Sequence, residues 1–447
     1  MPDGRHIGPW PMTGVKAETW LMRYDESGVC TSPRTRMALL ERLQRAPDSP
    51  VLLLSHGWNN DFQAAVSLYE HFLQQFEALR DGKLKRGTSP IAVGVIWPSI
   101  WLPSDDGPQI AAHPASTRDP FPLERVLAAL RAVLPQSVSA ARLYELLDAD
   151  KLSPDETREL AGLIKPALRA SNDGAEEAGA SVETILRTLR HLQTAFGNDR
   201  ASFDWDSFGT VDGTTTSEGE QPEAAGLLEY LDPRWALRLA SLYVMKDRAG
   251  VVGWNGVGPL LRAILEATRG PVYGIGHSFG AKVLLSAMDS PGAPVRKLSA
   301  MLLLQPAISH LSFSERVPGR DGPGGYRRVL ERVAGCVFST FSAGDFPLHD
   351  VYHHALLRRS DLGDVGIAAA GQPPSAYAAL GGYGPRGAGE HLVDPIPGPG
   401  TPVAIPNGVR LVGLDGSLEA RIAGHGDVTN MYTAWALAEL VRHTEGG

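Results

Sequence analysis

A chain of 447 residues with 43% hydrophobic and 21% charged side chains has the composition of a folded globular protein, large enough for one α/β domain with insertions or for two domains. A net charge of −8 without any dense Lys/Arg run excludes a nucleic-acid surface, and two cysteines, Cys30 and Cys336, cannot build a disulfide framework and are expected as buried thiols. The first residues lack a basic stretch followed by an apolar core, and no apolar run approaches the ~20 residues that span a bilayer, so a soluble, cytoplasmic protein is expected, leaderless export apart.

Residues 19–24 have strand character and end in the turn-forming Asp25-Glu26-Ser27-Gly28. A helix follows over 34–44, with Met37, Leu40 and Leu43 at helical spacing. The apolar run 51–54 fits a central parallel strand covered on both faces. An amphipathic helix over 62–79 carries Phe62, Val66, Tyr69, Phe72, Leu73 and Phe76 on one side, and a second buried strand over 91–97 is stopped by Pro98.

From 102 to 233 the pattern changes. Pro-rich loops lead into apolar stripes at helical spacing: Leu123, Val126, Leu127, Leu130 and Leu134; Leu143, Leu146 and Leu147; Val182, Ile185, Leu186, Leu189, Leu192 and Phe196. Ser153-Pro154-Asp155-Glu156 is a clean helix start. Residues 202–223 are polar and rich in Gly, Ser and Thr, and no strand is expected anywhere in this region. The expected organisation is a core made of residues 1–101 and 235–447, with 102–234 as a helical insertion.

Beyond it a helix is expected over 257–268, then the strand–turn–helix around Ser278, a strand over 298–304, a helix over 326–333 and a strand over 335–341. An irregular Gly/Pro-rich stretch over 361–408 precedes a last strand, 409–414, and a closing helix, 431–443, with Met431, Trp435, Leu437 and Val441 apolar. Alternating strands and helices predict an α/β fold: a mostly parallel sheet with right-handed crossovers and helices on both faces.

The chemistry centres on Gly276-His277-Ser278-Phe279-Gly280. Gly-x-Ser-x-Gly between a strand and a helix is the pattern of a nucleophile elbow, in which the glycines make room for neighbouring backbone and the serine adopts strained angles. A serine nucleophile needs a base, and the base needs a carboxylate to orient it. Two later loops offer them. Asp345 follows the 335–341 strand, and His425 lies between Gly424 and Gly426 just before the closing helix. Asp350 competes with Asp345, which could instead cap the helix starting at Phe346, and Asp427 has the look of a cap for the last helix. His349, His353 and His354 lack acidic or cysteine partners, so no metal site is expected. An oxyanion hole would draw on the N–H of Phe279 and on that of Trp58, aimed inward by the turn at His56-Gly57.

These features resemble the α/β-hydrolase superfamily. Within it they are similar to bacterial serine hydrolases of the esterase–lipase type, which carry a His-Gly-aromatic-Asn oxyanion loop, a strand ending in Trp-Pro-Ser and a Gly-His-Ser-x-Gly elbow. The matching residues are His56-Gly57-Trp58-Asn59, Trp97-Pro98-Ser99 and Gly276 to Gly280, and the resemblance covers roughly residues 15–101 and 235–445. It implies cleavage of a small-molecule or lipid ester through an acyl-enzyme, without a cofactor, under a cap or lid formed by 102–234. A lipase or phospholipase effector, an amidase or a thioesterase are the alternative chemistries, and a non-catalytic binding module is the alternative of a different class. Membrane-surface contact has little support, because the insertion's helical stripes carry mixed charge rather than a basic face.

Overall fold

The computed structural model describes residues 7–83, 89–99, 130–131, 134–168, 181–196, 231–292, 294–318, 322–352 and 378–445. One sheet organises them. Its strands are β1 (Glu18–Arg23), β2 (Val51–Ser55), β3 (Ile91–Ile96), β4 (Val272–His277), β5 (Ala300–Leu304), β6 (Val337–Phe341), β7 (His391–Val393) and β8 (Leu411–Asp415). They lie in the order β1-β3-β2-β4-β5-β6-β8-β7, every neighbouring pair parallel. The helices are α1 (Pro33–Arg45), α2 (Phe62–Lys83), α3 (Ala140–Asp148), α4 (Pro154–Ile164), α5 (Val182–Phe196), α6 (Arg234–Val251), α7 (Gly258–Ala267), α8 (Phe279–Asp289), α9 (Val329–Arg332), α10 (Leu380–Tyr383) and α11 (Met431–Glu445).

An all-parallel sheet needs cover on both sides, because each crossover returns the chain across a face. Odd-numbered β2 residues, Val51 and Leu53, face a core shared with α1, α6, α7 and α8; Leu52 and Leu54 face the one shared with α2 and α11. That alternation inside a continuous apolar run is why 51–54 has no polar residue. The described part of the insertion joins the first core: Leu143, Leu146, Leu160, Ile185 and Leu189 are buried in one cluster with Leu239 and Tyr243 of α6. Its stripes therefore pack the insertion onto the sheet's helical layer. Leu123, Val126 and Leu127, and the polar stretch 202–223, lie outside the described residues.

Several boundaries differ from expectation for identifiable reasons. The helix expected over 257–268 is the end of a longer rod in which a π-helical turn, Val252–Val257, joins α6 to α7 and absorbs the glycines that break the pattern. The helix expected over 326–333 shrinks to α9, since the N–H groups of Val329, Leu330 and Glu331 go to carbonyls three residues back, those of Tyr326, Arg327 and Arg328, which makes a run of tight turns before the α-helical one. On α1 the buried face is Thr35, Leu39 and Leu43; Met37 is 64% exposed. Met431, at the start of α11, is likewise exposed. Three-residue β7, on the sheet's edge, carries too few residues for an alternation to register. Cys30 and Cys336 are free and only half-buried. Among the described residues no helix is long and apolar enough to cross a membrane.

At the start of α4 the local sequence alone decides the structure. Ser153 accepts from the Glu156 N–H while Glu156 reaches back to the Ser153 N–H at 2.9 Å, with Pro154 in the first turn. Ser153→Ala is expected to cost about 1 kcal/mol of stability, read as a lower urea midpoint at unchanged slope.

Candidate active site

After β2 the chain continues to β3 on one side, whereas β4 is added on the other side of β2. The sheet order therefore reverses between β2 and β4, and the carboxyl ends of strands at such a reversal frame a crevice. The loop after β2 carries His56-Gly57-Trp58, and the turn after β4 carries Ser278.

Ser278 sits at φ 54°, ψ −124°, a left-handed conformation that a non-glycine residue adopts only when its surroundings impose it. The flanking glycines supply the space. A Cβ on Gly280 would lie 2.1 Å from the Ser55 carbonyl oxygen of β2, and one on Gly276 would lie 2.7 Å from Cα of Ala281 in α8. The serine hydroxyl is thereby held at the N-terminus of α8, whose first N–H groups have no partner within the helix.

Two residues far along the chain meet it. Nε2 of His425 accepts from the Ser278 hydroxyl at 2.9 Å, and its Nδ1–H donates to Asp345 Oδ2 at 2.8 Å. The tautomer follows from this chain, because only a protonated Nδ1 can donate to a carboxylate. Ser278 and Asp345 are fully buried and His425 is 3% exposed. Asp345 also performs the capping role that competed in the sequence: its Oδ1 accepts from the Leu348 N–H at 3.1 Å. One oxygen caps and the other faces the imidazole. Asp427 caps nothing on α11. The cap there is Asn430, which accepts from the N–H groups of Tyr432 and Thr433, while Asp427 braces the His425 loop through the Ala423 N–H.

The loop after β2 is pinned by the end of β3. The His56 ring stacks on Trp97 with centroids 5.5 Å apart, donates from Nδ1 to the Gly57 carbonyl and accepts the Trp97 N–H on Nε2. Ser99 accepts from the Asn60 N–H and donates to the Asn60 carbonyl, and its own carbonyl accepts the Asn59 N–H. The Trp-Pro-Ser strand end thus fixes the loop residue by residue. Gly57 abuts Ser278, the Trp58 ring lies 6.2 Å from that of Phe279, and both aromatic residues are buried.

Burial also sets the charge of the surrounding imidazoles. Desolvation lowers the His56 pKa to about 4. His277 is pushed well down, first by burial and then by the neighbouring His425, whose ring centroid is 5.0 Å away. A neutral His277 can use its Nε2–H to donate to the His425 carbonyl at 2.9 Å, tying the elbow to the histidine loop.

One residue of this constellation was read in the sequence only as a strand stop. Gln305 ends β5 at φ 41°, fully buried, and its Nε2 donates to Asp345 Oδ2 at 3.2 Å and to the Gly424 carbonyl at 2.6 Å. The available signal was its place: a polar side chain directly after the strand beside the elbow strand. Side chains at 353–377, His353 and His354 among them, lie outside the described residues, and among the described residues no cluster of His, Cys, Asp and Glu could hold a metal ion. The chain matches no family model, no curated protein and no solved structure.

Proposed function

We propose that this protein is a serine hydrolase of the α/β-hydrolase type that cleaves carboxylic esters through an acyl-enzyme. The observation that carries the reading is the unbroken hydrogen-bond chain from Asp345 through His425 to a serine in a strained strand–helix turn. In this reading His425 takes the Ser278 proton as the oxygen attacks the ester carbonyl, then returns it to the leaving alkoxide. Asp345 holds the reacting tautomer and stabilises the imidazolium. The oxyanion is received by the N–H of Phe279, at the start of α8, and by that of Trp58. Each such donor contributes about 2.7–4 kcal/mol to the transition state. A neutral His277 serves the same end, since a second imidazolium beside His425 would oppose the charge that forms there. A cap over the site formed by the insertion 102–234 belongs to the same proposal; the described apolar stripes of the insertion pack against α6 and are not assigned to a substrate.

The test is labelling with a fluorophosphonate probe followed by a series of p-nitrophenyl esters of increasing chain length. Wild-type protein is expected to be labelled at Ser278 and to hydrolyse at least one ester, with Ser278→Ala unlabelled. Folded wild-type protein that takes no label and cleaves neither ester, thioester nor anilide would leave a binding module as the reading. Turnover confined to thioesters or anilides would replace the ester class while keeping the mechanism.

A further inference from the structure

Asp345 and His425 stand on separate loops, after β6 and after β8, and the side chain of Gln305 joins them from a third, after β5. We propose that Gln305 is a positioning residue: its amide clamps the Asp345 carboxylate to the backbone directly before His425, so that acid and base keep their spacing. The inference rests on the hydrolase reading and adds a residue to it.

Four observations converge. First, the two Nε2 protons go to different loops, one to Asp345 Oδ2 and the other to the Gly424 carbonyl. An amide has two such donors in fixed geometry and a hydroxyl has one, so few other uncharged side chains could make the bridge. Second, Oδ2 is the oxygen that also accepts from His425, so the amide fixes the orientation of the atom that orients the base. Third, the backbone is held for the purpose. Gln305 occupies φ 41°, and its N–H is fastened to Thr340 Oγ1 of β6 at 3.0 Å. A non-glycine residue in that region costs of order 1–3 kcal/mol and persists where surroundings impose it. Fourth, Asp345 is fully buried, so water cannot substitute for a missing donor without rearrangement. Without Gln305 the Gly424 carbonyl keeps the Asp427 N–H at 3.2 Å, and Asp345 Oδ2 keeps only the His425 Nδ1–H that it has to orient. Losing Gln305 therefore leaves the histidine loop a backbone bond but leaves Oδ2 held by the imidazole alone.

The experiment replaces Gln305 with Met, which has similar length and leaves the β5 backbone demand unchanged, and with Ala as a second variant. Both are compared with wild type for ester hydrolysis, thermal melting and the downfield proton resonance of His425 Nδ1–H, assigned through its loss in His425→Gln. Gln305→Met is expected to lower kcat about ten- to hundred-fold with KM changed less than about threefold, as a small misplacement of a catalytic pair does. It also shifts or broadens the resonance. In an Asp345→Asn background the same substitution is expected to have little further effect on kcat, because the amide acts through the carboxylate. Folded variants with wild-type kcat and an unmoved resonance overturn the proposal. So does an equal loss in both backgrounds, the mark of a general structural role. The resonance needs no turnover, so the two readings fail separately. Wild-type protein without label or activity sinks the hydrolase assignment, while active wild type with indifferent Gln305 variants sinks only this one.

Discussion

Under the proposed hydrolase mechanism, Ser278→Ala is expected to remove on the order of 10⁶-fold of kcat on whichever ester proves to be the best substrate, while the protein still folds. The hydroxyl makes its hydrogen bond to His425 Nε2, and alanine keeps the Cβ that the elbow already accommodates at φ 54°. His425→Ala should cost a similar factor, and the double variant little more, because nucleophile and base act as a unit. Asp345→Asn should cost roughly 10⁴-fold, since an amide NH₂ facing Nδ1 favours the tautomer that cannot accept the serine proton. Single-turnover rates with a p-nitrophenyl ester, alongside melting temperatures, make the measurement. A folded Ser278→Ala protein retaining a tenth of the wild-type rate would mean that another group attacks the substrate.

A second large effect concerns stability rather than rate. Between pH 6.5 and 4 the folded protein is expected to lose several kcal/mol. Burial holds His56 and His310 at about 4, whereas both titrate near the ordinary value once unfolded. Above pH 6.5 neither state binds these protons and stability is complete. As the pH falls the unfolded chain takes them up first, so stability drops, and it levels off below 4, where both states are protonated. Each residue contributes about 3 kcal/mol to the loss, a large share of a typical folding free energy. Burial and the neighbouring His425 lower His277 as well, so its protonation adds to the same loss. His310 isolates the effect. Among the described residues neither of its ring nitrogens has a hydrogen-bond partner, so His310→Leu strands no described partner group. Urea unfolding at a series of pH values should show this variant gaining on wild type by about 3 kcal/mol between pH 7.5 and 4. Parallel curves for the two proteins would show that burial of this imidazole has no proton linkage.

The sequence anticipates much of this molecule, for reasons that differ from element to element. Apolar runs at 51–54, 91–96 and 272–275 can hardly be anything but strands buried on both sides, and they lie side by side within the sheet as β3, β2 and β4. The Ser278 turn was recognisable because a strand, a serine between glycines and a helix follow one another directly: the clash at Gly276 is with Ala281 of its own helix, a short-range constraint, whereas that at Gly280 is with Ser55 of β2, far along the chain. Where a feature depended on long-range packing, pattern reading failed. The helix start expected at 257 dissolves into a π-helical turn, Met37 faces away from the core, and β7 passes unseen.

Within the site the division is sharper. Ser278 and His425 are 147 residues apart and His425 and Asp345 are 80, so their types and order could be read while their contact could not. The local chain determined which residues were able to serve: a serine between glycines, a histidine between glycines, a carboxylate at a strand end. Only the tertiary structure decided that Asp345 both caps and faces the imidazole, that Asn430 rather than Asp427 caps α11, and that Gln305 spans the two loops. The reason is that backbone sterics act over a few residues, whereas the meeting of side chains is set by which strands lie side by side in the sheet.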